Sequence, residues 1–563
     1  MVSVNSARRA RLIAALPLFV AAVSALSAAP AAQPADLAPV PRAALRIQAV
    51  ATLSGGGAVP MPCLSPIVQS ARQDSSRALG PVKRALAALG ADPSLSGERR
   101  VVDADGNVVR FASDRAAFDR LDPTDDDGNN RPDVVDAALG ALARSSRLLV
   151  TQLELPSPGP VEVIIARLGS GVEGFVTSTR DGRAQIWIDA APHGGPSGLR
   201  RAVAHQYGHA VAAAVGLDPS WGEALATWAT MTIDGTPDDR TTSSLAHRLQ
   251  ALDQGLKTDD LDLSAGNAAW LAFLGESFGS TAVKLAVEEL GRGGPADAAL
   301  DRAIRRSGGE SLDAALRDFQ LWALLVGPRD DHRHFTFASR MGAPTFASVA
   351  EALPALSIQS DPDVAPLGMA AVLLRPGERT GGLALRFEGD VAARWSADVL
   401  LVRTDGSMQR VPVALDAEGA GALTLPVADL REAILLIRNL DPEGRAARRY
   451  SWSALYEPGY PAEISAVRVE LAGERGGTLV SWDTARETGT IGFNVLRAPA
   501  DGGPSTRINP VWIPAIGDAA TPAGYSFLDA HPEPGVAYRY RIEAITADGL
   551  SSRTDAVPGP VSD

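Results

Sequence analysis

The sequence predicts a multidomain protein: an α+β domain followed by two all-β sandwich domains. Three observations lead there. The chain has 563 residues, too many for one ordinary hydrophobic core. Between about residues 96 and 350, strand-like runs come first and helical periodicity follows, the order of an α+β domain. From about residue 366 the pattern changes to short alternating runs separated by turn residues, the spacing of β-sandwiches.

Bulk composition narrows the functional classes. Apolar residues make up 45% and charged residues 21%, so most of the chain can pack as globular protein. The net charge of −13 and the lack of a basic run exclude a nucleic-acid partner, which needs a concentrated positive surface. Only Lys83, Lys257 and Lys284 are lysines; the other basic residues are arginines, a compositional bias without a functional meaning.

The elements follow in order. Residues 1–29 read as a signal peptide: Arg8, Arg9 and Arg11 precede the apolar run "LIAALPLFVAAVSALSAA", with cleavage expected at or near Ala25-Leu26-Ser27. The run approaches spanning length, so an uncleaved anchor is the alternative; Pro17 and the weakly hydrophobic, Ala-rich make-up favour the signal. No later segment is long and apolar enough to span a bilayer. The expectation is an exported protein, extracellular, on the cell surface or periplasmic. Cys63 is the only cysteine, which excludes an internal disulfide and is taken to exclude a cysteine-based metal site.

Residues 30–95 read as a leader. It is rich in Ala, Pro and Gly to about Pro60, and "IVQSARQDSSRALGPVKRALAALG" then has helical spacing, suited to a propeptide or an N-terminal helical layer. In the 96–350 domain, "VEVIIARL" (161–168) and "AQIWIDA" (184–190) read as strands. Helical patterns cover Val134 to Leu149, Leu199 to Val215, Gly222 to Met231 and several stretches between Ala268 and Leu325. "PALSIQSDPDVAPLG" (354–368) reads as a linker. The first sandwich, 366–460, carries "LALRFEG", "ADVLLVRT", "QRVPVAL", "ALTLPV", "AILLIRNL" and "YSWSALYEP" as strands. The second, 461–563, carries "GTLVSWDT", "IGFNVLRA" and "AYRYRIEAITADG". Its Trp482 in an early strand and Tyr538 and Tyr540 in a late one resemble a fibronectin type III domain, which implies a binding or spacer module.

The chemistry concentrates in "AHQYGHAVAAAVGLDPSWGEALATW", residues 204–228. His205 and His209 are four apart, on one face of a helix, so both imidazoles can reach one ion. Leu199, Val203, Ala210, Val211 and Ala214 supply the helical apolar spacing and Gly216 a stop. Such a pair alone arises by chance on the order of once in ten sequences with this histidine content. Zinc needs a third protein ligand and, for catalysis, an open position. Glu223 follows the turn "GLDPSW", where Asp218 or Ser220 can cap a second helix and Pro219 fits its first position. Two antiparallel helices can bring Glu223 back beside the histidines.

This block resembles the active site of exported bacterial metallopeptidases of the zincin type, in the gluzincin-like arrangement, whose pattern is A-H-E-[FY]-x-H followed by W-x-E-G-x-A-x-W. Ala204, His205, Tyr207, His209, Trp221, Glu223, Ala226 and Trp228 match. The resemblance implies a zincin-like domain with Zn²⁺ held by His205, His209 and Glu223, and a strand along the substrate cleft, here "IWIDA". The departure is Gln206. In H-E-x-x-H enzymes the glutamate at this position is the general base; an amide cannot take a proton, and losing a positioned base costs roughly 10²–10⁴-fold.

A second candidate is "DPTDDDGNNRPDVVDAAL", residues 122–139. As a Ca²⁺ loop it offers Asp125, Asp127, Asn129, the Arg131 carbonyl, Asp133 and Asp136 at positions 1, 3, 5, 7, 9 and 12. Asn130 replaces the usual Gly but tolerates the left-handed conformation. It resembles the D-x-D-x-[DN] loops of dockerins and thrombospondin-type repeats; a solvated acidic turn capping the next helix is the alternative.

Three functions fit the sequence: a metallopeptidase-like pseudoenzyme that binds a peptide or protein ligand, an active peptidase whose base is Glu223 or Asp189, and a structural or adhesive surface protein acting through its β-modules. His193, His332 and His334 read as exposed loop histidines.

Overall fold

The structure is a computed structural model and describes residues 63–73, 80–89, 95–114, 117, 119–169, 171–178, 182–191, 195–377, 381–427, 429–441, 446–457, 460–473, 476–518, 520–547 and 550–561. The segment expected to be a signal peptide, the first part of the expected leader and His193 lie outside the described residues. Among the described residues, no helix is long and apolar enough to cross a membrane. The chain divides into two compact units, one reaching Pro344 and one from Thr345 onward; two short segments, Ala251–Leu256 and Leu316–Gln320, group with the second.

The first unit is an α+β domain. Its sheet contains β1 (Glu98–Val102), β2 (Val108–Ala112), β3 (Glu162–Ala166), β4 (Gly174–Ser178) and β5 (Ala184–Asp189) in the order β1-β2-β3-β5-β4. The β2–β3 and β3–β5 pairs are parallel, while β1 and β4 run antiparallel to their neighbours and form the edges. Val163, Ile164, Ile165, Ile186, Trp187 and Ile188 are all buried, so the sheet is covered on both faces. That explains why these strands read as continuous apolar runs.

Two short helices, Ser65–Gln73 (α1) and Gly80–Leu89 (α2), lie on one face of the sheet. Leu64, Val68, Ala85 and Leu89 pack with Ile164, Ala166, Phe175 and Trp187 in one core cluster. Of the two readings offered for the helical part of the 30–95 segment, the packing of Leu64, Val68, Ala85 and Leu89 agrees with an N-terminal helical layer. Helix α3 (Asp133–Ser146) continues as a π-helical turn to Gln152, and the central pair follows: α4 (Gly195–Val215) and α5 (Pro219–Asp234). Six further helices run from Asp239 to Leu324. Strands β1, β2 and β4 and the helix Asp239–Gln250 were not expected; β1 and β4 are edge strands of five residues, too short to show a clear alternation.

The second unit contains two β-sandwiches. One pairs a five-stranded sheet, order β11-β10-β13-β8-β6, with a four-stranded sheet, order β12-β9-β14-β7. These strands are β6 (Ser348–Ala350), β7 (Ala355–Gln359), β8 (Met369–Leu374), β9 (Gly382–Gly389), β10 (Trp395–Arg403), β11 (Met408–Pro412), β12 (Ala420–Pro426), β13 (Leu430–Asn439) and β14 (Tyr450–Glu457). The segment 354–368 is thus no plain linker, since β7 pairs with β14 inside it; its side chains are mostly exposed, so the strand has no buried face to reveal it. Residues 348–350 pair with β8 and belong to the sandwich, two positions before the expected domain end. The last sandwich sets a three-stranded sheet, Ala462–Leu471, Thr478–Glu487 and Ala523–Asp529, against a sheet built on Thr490–Pro499 and Tyr538–Thr546. Trp482, Phe493, Val495, Tyr540 and Ile542 fill its core.

Candidate metal centre

Helix α4 is buried on almost every side, with Leu199, Val203 and Val211 fully enclosed. It ends where Gly216 takes the left-handed conformation (φ 88°), and the N–H groups of Gly216 and Leu217 both return to the Ala212 carbonyl, at 3.0 and 2.9 Å. Asp218 then caps α5 by accepting the N–H groups of Ser220 (2.9 Å) and Trp221 (3.1 Å), with Pro219 at the first helical position. This tight turn sends α5 back along α4. The two helices touch at Gly208, where an added Cβ would lie 2.7 Å from the Ala226 Cα. Only glycine permits that approach, and it lies between the two histidines in sequence and next to His209. Trp221 and Trp228 are buried, so the aromatic letters of the block are packing residues.

The outcome is convergence. His205 Nε2 lies 3.2 Å from His209 Nε2 and 3.3 Å from Glu223 Oε1, and His209 Nε2 lies 3.0 Å from Glu223 Oε2. The three ligand candidates named from the sequence thus meet at one point. A fourth joins them: Cys63 Sγ is 3.2 Å from His209 Nε2, and one ligand atom from each of the four residues lies within 4.8 Å of the others. Cys63 thus stands among the ligand candidates, contrary to the expectation that one cysteine excludes a cysteine-based metal site. One thiol can complete a mixed site when two histidines and a carboxylate are already present, and a count of cysteines carries no signal for that.

The donor set and spacing fit a tetrahedral cation such as zinc. Ligand atoms roughly 2.0–2.3 Å from a shared centre stand about 3.3–3.6 Å apart, near the 3.0–3.3 Å separations among His205, His209 and Glu223 and between Cys63 and His209. Glu223 Oε2, buried, has no hydrogen bond despite its approach to His209, an arrangement a cation would satisfy.

Gln206 faces the same point and is almost fully enclosed. Its amide is hydrogen-bonded at both ends. The Val176 N–H donates to Ser65 Oγ (2.9 Å), and the Ser65 hydroxyl donates to Gln206 Oε1 (2.6 Å). That leaves the amide nitrogen toward sulfur, Nε2 donating to Cys63 Sγ at 3.4 Å. Gly174 makes room, since a Cβ there would lie 3.0 Å from the Gln206 Cγ.

Electrostatics follow the packing. Burial opposes charge on His205, yet Glu223 and Cys63 outweigh it and raise its pKa well above the ordinary value. His209 is likewise raised, to about 9, as Cys63 and Glu223 overcome burial. Burial and Glu223 push the Cys63 thiol up, but the two histidines prevail and leave it at about 6. Burial pushes Glu223 up, and the histidines hold it well below the usual carboxylate range. Two bases and two acids stabilise each other's charged forms.

Other candidates separate from this centre. The Asp189 carboxylate accepts the N–H groups of Leu168 (2.8 Å), Gly169 (3.3 Å) and Ala191 (2.7 Å), which commits it to holding the loop after β3. His334 Nδ1 lies 2.7 Å from Asp331, and the exposed His332 lies 3.1 Å from Asp330. In the acidic loop, Asp125, Asp127 and Asp133 draw together within 4.8 Å. Asn129 instead directs its Nδ2 to Asp127 and Asp136, both at 2.8 Å, and Asp136 pairs with the Arg131 side chain at 3.1 Å. Asn130 takes the left-handed conformation (φ 63°) that the loop requires.

No protein-family model matches the chain, and no curated protein matches it. Among solved structures it is similar to an Fn3-like protein from Clostridium thermocellum, at 21% identity over 18% of this chain and 95% of that one, with a TM-score of 0.13. A beta-1,2-glucanase from Parabacteroides distasonis is 11% identical over 35% of this chain and 30% of its own, with a TM-score of 0.12. The adhesin domain of Epf from Streptococcus pyogenes is 9% identical over 35% of this chain and 70% of its own, with a TM-score of 0.14. At such TM-scores none of these likenesses carries an argument.

Proposed function

We propose that the chain is an exported, zincin-like protein of metallopeptidase ancestry that holds zinc through His205, His209 and Glu223 and binds a peptide or protein ligand without cutting it. The observation that carries this reading is the meeting of those three side chains around a point where Gln206 stands in place of a base. When bound, zinc would supply Lewis acidity only to an oxygen that reaches an open coordination position. The residues do the rest, and one role goes unfilled. Gln206 offers an amide to its surroundings and has no site for a proton. Glu223 stands among the ligand candidates and Asp189 accepts three backbone N–H groups, which removes support from a peptidase with a substitute base. The C-terminal sandwich, read as fibronectin type III-like, fits a binding or spacer module.

Purified full-length protein is expected to contain about one equivalent of zinc, with no cleavage of casein or a peptide library. Cleavage abolished by a chelator would sink the pseudoenzyme reading, and protein without zinc would favour a scaffold that acts through its β-modules. The loop from Asp125 to Asp136 belongs to the same reading as a Ca²⁺ site, supported by the approach of Asp125, Asp127 and Asp133. Millimolar Ca²⁺ is expected to raise the thermal transition of the first unit in the wild type and not in Asp127→Ala. An equal rise in both would refute calcium binding there.

A further inference from the structure

We propose that Cys63 is the fourth ligand of this metal centre, so that the site is closed by the chain's own N-terminal segment. The inference rests on the zinc reading above and goes beyond it by naming what fills the position a catalytic site leaves open. Four observations on separate groups converge. Cys63 Sγ stands with His205, His209 and Glu223 inside one 4.8 Å cluster. Glu223 Oε2, buried and aimed into that cluster, has no hydrogen bond. Gln206 presents an N–H donor to the sulfur, the contact that metal-bound thiolates receive in their outer shell. The fourth observation concerns the backbone. The Leu64 N–H donates to the Gly174 carbonyl (3.2 Å), and Cys63 forms a parallel bridge with Gly174, so the segment continues the sheet at the free edge of β4.

The identities at 63, 65 and 206 make sense together. A glutamate at 206 would set a carboxylate against a thiolate, whereas glutamine gives the sulfur a donor and takes the Ser65 proton with its oxygen. Ser65 in turn ties the segment to the Val176 N–H. Gln206 then belongs to a closed site of the structural kind, where a neutral hydrogen-bonding partner is what a metal thiolate needs. The segment Cys63–Ser65 thereby fills the metal's fourth position and pairs at Gly174 on the edge of β4, so the peptide or protein ligand of the reading above binds away from the metal.

Cobalt(II) tests this in the full-length protein, because thiolate ligation gives a near-ultraviolet charge-transfer band and Cys63 is the only cysteine. Wild type loaded with one equivalent of cobalt is expected to show that band together with the visible bands of a four-coordinate ion. Cys63→Ser is expected to lose the charge-transfer band, keep the visible bands, and bind zinc at least about tenfold more weakly. Cobalt bound by wild type without the charge-transfer band overturns Cys63 as a ligand and leaves the His205, His209 and Glu223 reading standing. Wild type that binds no cobalt overturns that underlying reading. The decisive spectrum is that of the wild type, so poor folding of a variant does not blunt the test.

Discussion

Gln206→Glu alone is expected to leave the protein without measurable peptidase activity, while Gln206→Glu combined with Cys63→Ala raises it by roughly 10²–10⁴-fold over wild type. The difference follows from two separate obstacles. The single substitution restores a group able to accept a proton but leaves sulfur within 3.2 Å of His209, in the space a reacting water needs. It also places a carboxylate beside that sulfur. Cys63→Ala alone clears the space and leaves an amide at position 206. Only the double variant has a base and an open position at once, and the effects should be strongly non-additive. The measurement is kcat/KM on a peptide library, with zinc content determined for all four proteins. Equal activity in the single and double variants would show that Cys63 does not obstruct the site. A zinc-loaded double variant without activity would show that the geometry is not that of a peptidase.

What the sequence disclosed and what it hid can be traced to particular residues. The pairing of His205 and His209 was legible because helical spacing is strictly local. Glu223 was legible through the turn between the helices: Gly216, Asp218 and Pro219 are each typical of their place in it, and they fix α5 against α4. Gln206 was legible as a loss. Its gain, a hydrogen bond to a sulfur 143 residues away, was not, since no local pattern couples positions 63 and 206. Cys63 gives no local signal, since mixed metal sites need only one cysteine and a count of cysteines does not reveal them. The helices α1 and α2 were legible from their spacing, but their place was not, since their apolar residues gain meaning only against Ile164, Phe175 and Trp187. In the second unit, buried strands such as β10 and β13 announced themselves, whereas β7, mostly exposed at a sheet edge, read as linker.

Removal of zinc is expected to lower the thermal transition of the first unit by about 8–16 °C and to leave that of the second unit in place. The ligands lie at 63, 205, 209 and 223, so a bound cation clips the segment before α1 to the α4–α5 pair. Any ion that binds only the folded state stabilises it by mass action, about 4 kcal/mol when its free concentration is a thousand times Kd. In a domain of this size each kcal/mol moves the transition by about 2–4 °C. Metal removal also leaves Glu223, buried, with only the two imidazoles to balance it, and brings the two histidine nitrogens, 3.2 Å apart, into direct repulsion whenever both are protonated. The second unit owns none of these residues. Scanning calorimetry of the full chain with a zinc-selective chelator, in excess calcium so that the acidic loop is not disturbed, separates the two transitions. Unmoved transitions after confirmed zinc loss would show that the cluster holds its shape through its own ion pairs. In that case the metal adds chemistry to the site without stabilising the fold.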